Sequence, residues 1–269
     1  MDKSMKKVAF TLAFNGMRFL PRQLEIIPQY FDKWYIIEGP AKSINCTSWC
    51  KEIPMQYLNN INMSSDGTYE YLNAINNDKI EIIRPPIING KHRFWNGKIE
   101  MCNSFIDNIE NSILMEIDMD EFWSSKILNN MFSWCDIQTV NSMLQFKCNF
   151  FVGENLILTG ENCYGDMPYE WNRLWIIKNK TKWKSHEPPL LDISNIKLYN
   201  KKETIKLGWG FMHYAYMYEE QLQFKENYYG YKGAVDGWKR LQDQKTFPVM
   251  LKDYFCWVQD NTQVVKLGR

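Results

Sequence analysis

The stretch Ile113-Leu114-Met115-Glu116-Ile117-Asp118-Met119-Asp120-Glu121-Phe122-Trp123 decides how the rest of the chain is read. An apolar run ends in Asp-Met-Asp. In extended backbone, residues two apart point to the same side. The run therefore predicts a buried strand, Ser112 to Ile117, that delivers Asp118 and Asp120 together at its end. Two carboxylates so placed repel each other unless a positive group lies between them. A hard divalent cation with oxygen ligands does this and keeps sites free for water and phosphate oxygens. A solvated acidic turn is the plain alternative, and a bare D-x-D triplet is common. Its place behind a buried strand is what gives it weight.

Working upstream, short apolar runs alternate with helical patterns. Lys7 to Phe14 predicts a first strand, Trp34 to Ile37 a second and Ile80 to Arg84 a third. Between them Leu20, Leu24, Ile27 and Phe31 recur at helical spacing, with Pro21 suited to a helix start. Thr68 to Asn76 predicts a second helix, and Ile99, Cys102, Phe105, Ile106 and Ile109 stripe a third. Strands apolar on both faces and joined by helices predict an α/β fold with a Rossmann-like, mostly parallel sheet flanked by helices. Ligands of such sheets bind beyond the carboxyl ends of the strands. That places Asn15, Glu38 and the pair Asp118 and Asp120 among the site candidates.

Downstream the pattern changes. Leu144, Phe146, Cys148 and Phe150 alternate with polar residues, which predicts one half-exposed strand. Leu156 to Leu158, Arg173 to Ile177 and Ile205 to Leu207 are further strand candidates, and Tyr218 to Tyr229 and Ala234 to Gln244 read as helices. Residues 41–65 and 85–97 read as long loops. No linker or repeat divides the chain. One composite domain over residues 1–269 is expected, with a mostly parallel part over 1–123 and a mixed or antiparallel part over 124–269.

Composition narrows the partners. Lys plus Arg number 32 against 31 Asp plus Glu, so no broad basic or acidic field points to nucleic acid. No run is long enough to span a membrane, and the apolar run near the N-terminus reads as a strand rather than a signal peptide. A cytoplasmic protein, or one peripheral to a membrane, is expected. The seven Cys show no C-x-x-C pair, which argues against zinc and for reduced thiols. Eleven Trp supply faces on which sugar C–H groups stack, although most Trp fill cores.

The turn after the first strand, Asn15-Gly16-Met17-Arg18, is neither G-x-G-x-x-G nor G-x-x-x-x-G-K-[ST]. A cation held by Asp118 and Asp120 supplies the charge compensation that such a loop would give, acting as a Lewis acid to a departing nucleoside diphosphate. Four places together resemble the GT-A-fold glycosyltransferases, closest to the family 2-like bacterial and phage type. They are Phe14-Asn15, Ile36-Ile37-Glu38-Gly39, the Asp-Met-Asp-Glu-Phe-Trp run, and two later segments that contain His186 and His213. The similarity covers roughly residues 6 to 230.

The resemblance implies a metal-dependent transfer of a sugar from a UDP- or GDP-sugar to a glycan or other hydroxyl acceptor, with Mn²⁺ or Mg²⁺ and inversion at the anomeric carbon. It implies Glu38 at the donor base or ribose, where relatives usually carry a D-x-S-x-D-x-T turn that this chain lacks. Asp66 is a donor-binding candidate or a cap for the helix at Thr68. Lys98 is a candidate for the donor phosphates or a solvated helix lysine. The resemblance also places His213 with Asp118 and Asp120 at the metal, and Arg173 at donor phosphate, acceptor or a structural ion pair. An inverting transfer needs a group to take the acceptor proton. Glu187, in His186-Glu187-Pro188-Pro189, is the first candidate, ahead of Glu170 and Asp166. The loop around His92 is a candidate lid. Two other functions fit parts of the pattern. A nucleotidyltransferase acting on sugar phosphates would normally show a glycine-rich basic loop after the first strand. A non-catalytic carbohydrate-binding protein would not need paired carboxylates.

Overall fold

The computed structural model describes residues 4–42, 52–159 and 171–268. Its centre is a seven-stranded sheet. Three of its strands are β1 (Lys6–Ala13), β2 (Lys33–Glu38) and β3 (Ile80–Ile83). From edge to edge the order is Lys197–Tyr199, Ser142–Gln145, Asn172–Ile177, Ser112–Glu116, β1, β2, β3. All neighbours run parallel except Asn172–Ile177, which is antiparallel to both of its neighbours. The mostly parallel α/β sheet expected from the apolar runs is present.

The runs are apolar because both faces are covered. Along β1, Ala9 and Ala13 enter one buried cluster and Val8 and Phe10 another. Trp34 and Ile36 of β2 join the first, and Tyr35 and Ile37 the second. The strand Ser112–Glu116 splits its residues in the same way, with Met115 on one side and Leu114 on the other. Period-two alternation between two apolar layers leaves no polar face to read. The first cluster draws on residues from Met5 to Val264, and so on both halves of the chain.

The helices follow their local signals with shifted ends. α1 (Leu20–Tyr30) starts with Pro21 in its first turn and runs through Pro28. α2 (Thr68–Asn73) is shorter than predicted. The predicted stripe to Ile109 is broken, with α3 (Lys98–Asn103) followed by a separate 3₁₀ turn at Ile106–Asn108. α4 (Ser125–Asp136), capped by the Ser124 hydroxyl, was not anticipated.

Two strand predictions are corrected. The single strand over 144–150 is two, Ser142–Gln145 in the main sheet and Lys147–Phe150 in another, parted at Phe146. Ile205–Leu207 is no strand: α5 (Lys201–Lys206) occupies that segment. The cause is a capping box at its start. The Asn200 side chain accepts from the Lys202 and Glu203 amides, and Glu203 reaches back to the Asn200 amide at 2.8 Å.

Further on, α6 (Glu219–Phe224) passes into a π-helical turn at Lys225–Tyr229, and α7 (Ala234–Gln242) follows. The predicted loop 85–97 contains a two-residue hairpin, Ile87–Ile88 against Lys91–His92. Among the described residues, no helix is long and apolar enough to cross a membrane.

Candidate functional site

The chain lays β1, β2 and β3 side by side in one direction and then crosses back to place Ser112–Glu116 on the other flank of β1. The strand order therefore reverses between β1 and Ser112–Glu116. In open α/β sheets the crevice beyond such a point is where ligands bind. Asn15 follows one of these strands and Asp118 the other.

The acidic turn is tightly held. The Glu121 amide donates to the Asp118 carbonyl at 3.0 Å. From α1, the buried Gln23 amide donates to the carbonyls of Met119 at 3.0 Å and Glu121 at 2.6 Å. Gly16 lies against it, where an added Cβ would stand 2.9 Å from Met119 Cγ. The glycine after β1 thus serves contact with the acidic turn.

Arg173 is the centre of the charge network. Its Nε donates to both Glu121 oxygens at 2.9 and 3.0 Å, and its Nη2 to Glu121 at 2.8 Å and to Asp118 at 3.1 Å. Glu116 lies 3.7 Å from its Nη1. Of the roles open to it, the structural ion pair is the one seen. The Arg173 guanidinium is buried, which opposes its charge. Glu121, Asp118 and Glu116 overcome this and hold its pKa well above the usual arginine value. Burial pushes the Glu121 carboxyl up to about 7 against the pull of Arg173. Burial also raises Glu116, but His186 and Arg173 outweigh it and the net shift is downward. The Glu116 Oε1 takes His186 Nε2 at 2.8 Å.

Asp120 has other partners. His213 lies in the strand Gly210–His213, which pairs with Lys147–Phe150 and with Glu121–Phe122. The register sets His213 opposite Glu121 and its Nε2 3.4 Å from Asp120 Oδ1. Gln221 of α6 donates to Asp120 Oδ2 at 3.4 Å. Burial lowers the His213 pKa, yet Asp120 more than reverses this, and the net shift is upward. The Asp120 carboxyl is raised by burial and lowered further by His213 and Lys225, so its net shift is downward. Lys225, in the π-helical turn, is lowered by burial with partial compensation from Asp120 and Asp118. Neither Lys225 nor Gln221 carries a readable sequence signal. A helix widened by one residue often marks a functional position.

Glu187 is exposed and ion-paired with Lys98 at 2.6 Å. Glu170 and Asp166 lie outside the described residues. The other sequence candidates fall on the far flank of β1. Glu38 is fully buried and salt-bridged to Arg84 at 2.6 Å. Burial raises the Glu38 carboxyl above its ordinary pKa, against the pull of Arg84 and of the Ser64 hydroxyl. Arg84 was missed because its role depends on β3 lying beside β2. The Asn15 side chain donates to the Tyr57 carbonyl and accepts from the Ser65 and Asp66 amides. Asp66 accepts from Met17 at 2.9 Å and from Thr68 at 3.0 Å, which is the capping role of its two alternatives. The lid reading of His92 is corrected: the ring is buried, with Nδ1 2.6 Å from the Pro85 carbonyl, and Trp95 is fastened to Glu38 and Pro40.

Among the described residues, no three His, Cys, Asp or Glu side chains converge into a group that could hold a metal ion. The His213 Nε2 is directed at Asp120, so the three-ligand set of Asp118, Asp120 and His213 is not assembled. A hard cation that travels with a diphosphate asks less of the protein. One or two carboxylates suffice, with phosphate oxygens and water completing the shell. The side chains of Asp118 and Asp120, 35% and 22% exposed, fit that requirement.

No protein-family model matches the chain, and no curated protein matches it.

Proposed function

We propose that this chain is a metal-dependent glycosyltransferase of GT-A-like fold that moves a sugar from a nucleoside diphosphate sugar to a hydroxyl acceptor. The observation that carries the reading is the pair Asp118 and Asp120. They stand at the carboxyl end of a buried strand, beside the reversal of strand order, and side chains are the main partners of their carboxylates.

Asp118 and Asp120 hold Mn²⁺ or Mg²⁺, which when bound supplies positive charge to a departing diphosphate. His213 and Gln221 orient Asp120, and Arg173 anchors Asp118 against the buried Glu116 and Glu121. Lys225 and Lys98 are candidate phosphate partners. Both enter the electrostatics of this cluster, and their mutual repulsion is what an anion between them would relieve. Glu38 acts through Arg84. Glu187 receives the acceptor proton and Lys98 positions it. Inversion follows from a single direct displacement.

The test is release of nucleoside diphosphate from a panel of nucleotide-sugars with Mn²⁺, for wild type and Asp120→Ala. Metal-dependent release from one donor, lost in the variant, supports the reading. Silence across the panel leads to calorimetric titration of UDP and GDP with and without Mn²⁺. Absence of metal-dependent binding there overturns the transferase and moves carbohydrate binding to the front.

A further inference from the structure

A pocket of about 370 Å³ lies in the second half of the chain, between α7 and the strand pair Leu156–Thr159 and Gln263–Lys266. Besides Leu156, Met217 and Asn155, its lining holds three groups of side chains. Trp238, Phe247 and Tyr218 supply half-buried aromatic rings. Gln242 and Gln244 supply side-chain amides. Among the described residues, Glu154 and Lys266 are the only charged ones in the lining, one of each sign.

We propose that this pocket binds a neutral saccharide unit. A sugar ring presents apolar C–H faces and a rim of hydroxyls, each both donor and acceptor. Aromatic faces suit the first. Amides, which offer a donor and an acceptor in one group, suit the second. A phosphate group would call for clustered cations, and Lys266 stands alone with Glu154. A lipid chain would leave the amides and the carboxylate desolvated without partners.

The pocket is built in advance. The Trp238 Nε1 donates to the Tyr216 carbonyl at 2.8 Å, which fixes the indole plane. The Arg18 guanidinium covers one side of the Tyr218 ring, 4.1 Å from its centroid. Gln242 Nε2 donates to the Val152 carbonyl at 2.8 Å, and Gly153 allows this approach, since a Cβ there would stand 2.3 Å from Gln242 Oε1. Side chains held in place lose little freedom when a ligand arrives.

The pocket is also coupled to the acidic turn. The Tyr218 amide donates to Gln221 Oε1 at 3.1 Å, and the same Gln221 side chain reaches Asp120 Oδ2 at 3.4 Å. A saccharide here is thus one side chain away from Asp120, on the flank opposite Glu38 and Arg84. Its role as an acceptor subsite rests on the transferase reading; its binding of a saccharide does not.

A glycan microarray probed with the full chain, without nucleotide or metal, tests the proposal. Wild type is expected to bind one set of oligosaccharides that share a unit. Gln244→Ala is expected to bind that set about tenfold more weakly. Trp238→Ala is the stronger change but loses the bond to Tyr216, so its melting curve is recorded beside it. Gln244→Ala, at a half-exposed amide, keeps the question open to refutation if Trp238→Ala does not fold. Binding unchanged in Gln244→Ala, or no binding by wild type, overturns the pocket. Nucleotide release separates the two readings. Glycans bound with neither nucleotide release nor metal-dependent binding of UDP or GDP leave the pocket standing and remove the transferase, and release without bound glycans does the reverse.

Discussion

Two acidic turns lie at the carboxyl end of the same sheet and differ in what their carboxylates bind. In Ser64-Ser65-Asp66-Gly67, Asp66 takes the backbone amides of Met17 and Thr68. In Asp118-Met119-Asp120, the partners are the side chains of Arg173, His213 and Gln221. An amide cannot leave without unmaking the loop, so a carboxylate bound to amides belongs to the architecture. A side chain can swing aside and admit a ligand. Position at a strand end brings an acid near a crevice, and the partner decides whether it is available.

The contrast can be broken most forcefully at Arg173. Removing it leaves Glu116 and Glu121 buried without their shared cation. Loss of one partner from such a network costs about 3–5 kcal/mol. Arg173→Ala is expected to lower the chemical denaturation midpoint accordingly, and an unchanged midpoint would show the network to be dispensable. Asp120→Asn keeps the shape of the second turn and removes its charge. Metal-dependent nucleotide release is expected to fall by about 10²-fold or more, as for loss of one charge-stabilising group at a reacting centre.

Glu187→Gln sharpens the assignment of the base. A fall of about 10²-fold in transfer, with nucleoside diphosphate binding kept, is the expected outcome. Unchanged transfer would move that role to Glu170 or Asp166. Asp66→Ala is expected to cost about 1 kcal/mol of stability, since the residue is exposed and its bonds compete with water. Nucleotide binding lost without any fall in stability would erase the distinction between the turns.

The smallest effect is in pH. The His213 pKa is raised above its ordinary value of 6.5 in the folded chain. Its contribution to stability is therefore full below pH 6.5 and is lost as pH rises through the raised pKa. In metal-free protein, the melting-temperature advantage of wild type over His213→Ala should shrink between pH 6 and pH 9. An advantage that grows with pH would refute the pairing with Asp120.

The apolar runs at Lys7 to Phe14, Trp34 to Ile37 and Ser112 to Ile117 were legible because both faces of those strands are buried, and Ile80 to Arg84, at the sheet edge and only partly buried, by its apolar content alone. Each run then needs no register to be recognised. The strand over 144–150 misled because alternation continues through Phe146, where the chain changes sheets. Ile205 to Leu207 misled because apolar content was weighed above the capping box at Asn200 and Glu203. Arg84, Lys225 and Gln221 carried no local mark. Their roles come from elements distant in sequence, as the separation of 101 residues between Gln221 and Asp120 illustrates.

The sequence by itself determined the parallel half of the sheet and the placing of Asp118 and Asp120 at a strand end. Period, apolarity and the sites of the breaks are local quantities that a linear chain displays. Tertiary structure alone decided which acids are sealed and which are reachable. Glu38, Asp66 and Asp120 are all carboxylic acids in the sequence, and burial against Arg84, capture by amides and exposure beside His213 separate them. The reason is physical: a carboxylate's charge state and availability depend on neighbours within a few ångströms, and folding draws those neighbours from anywhere along the chain.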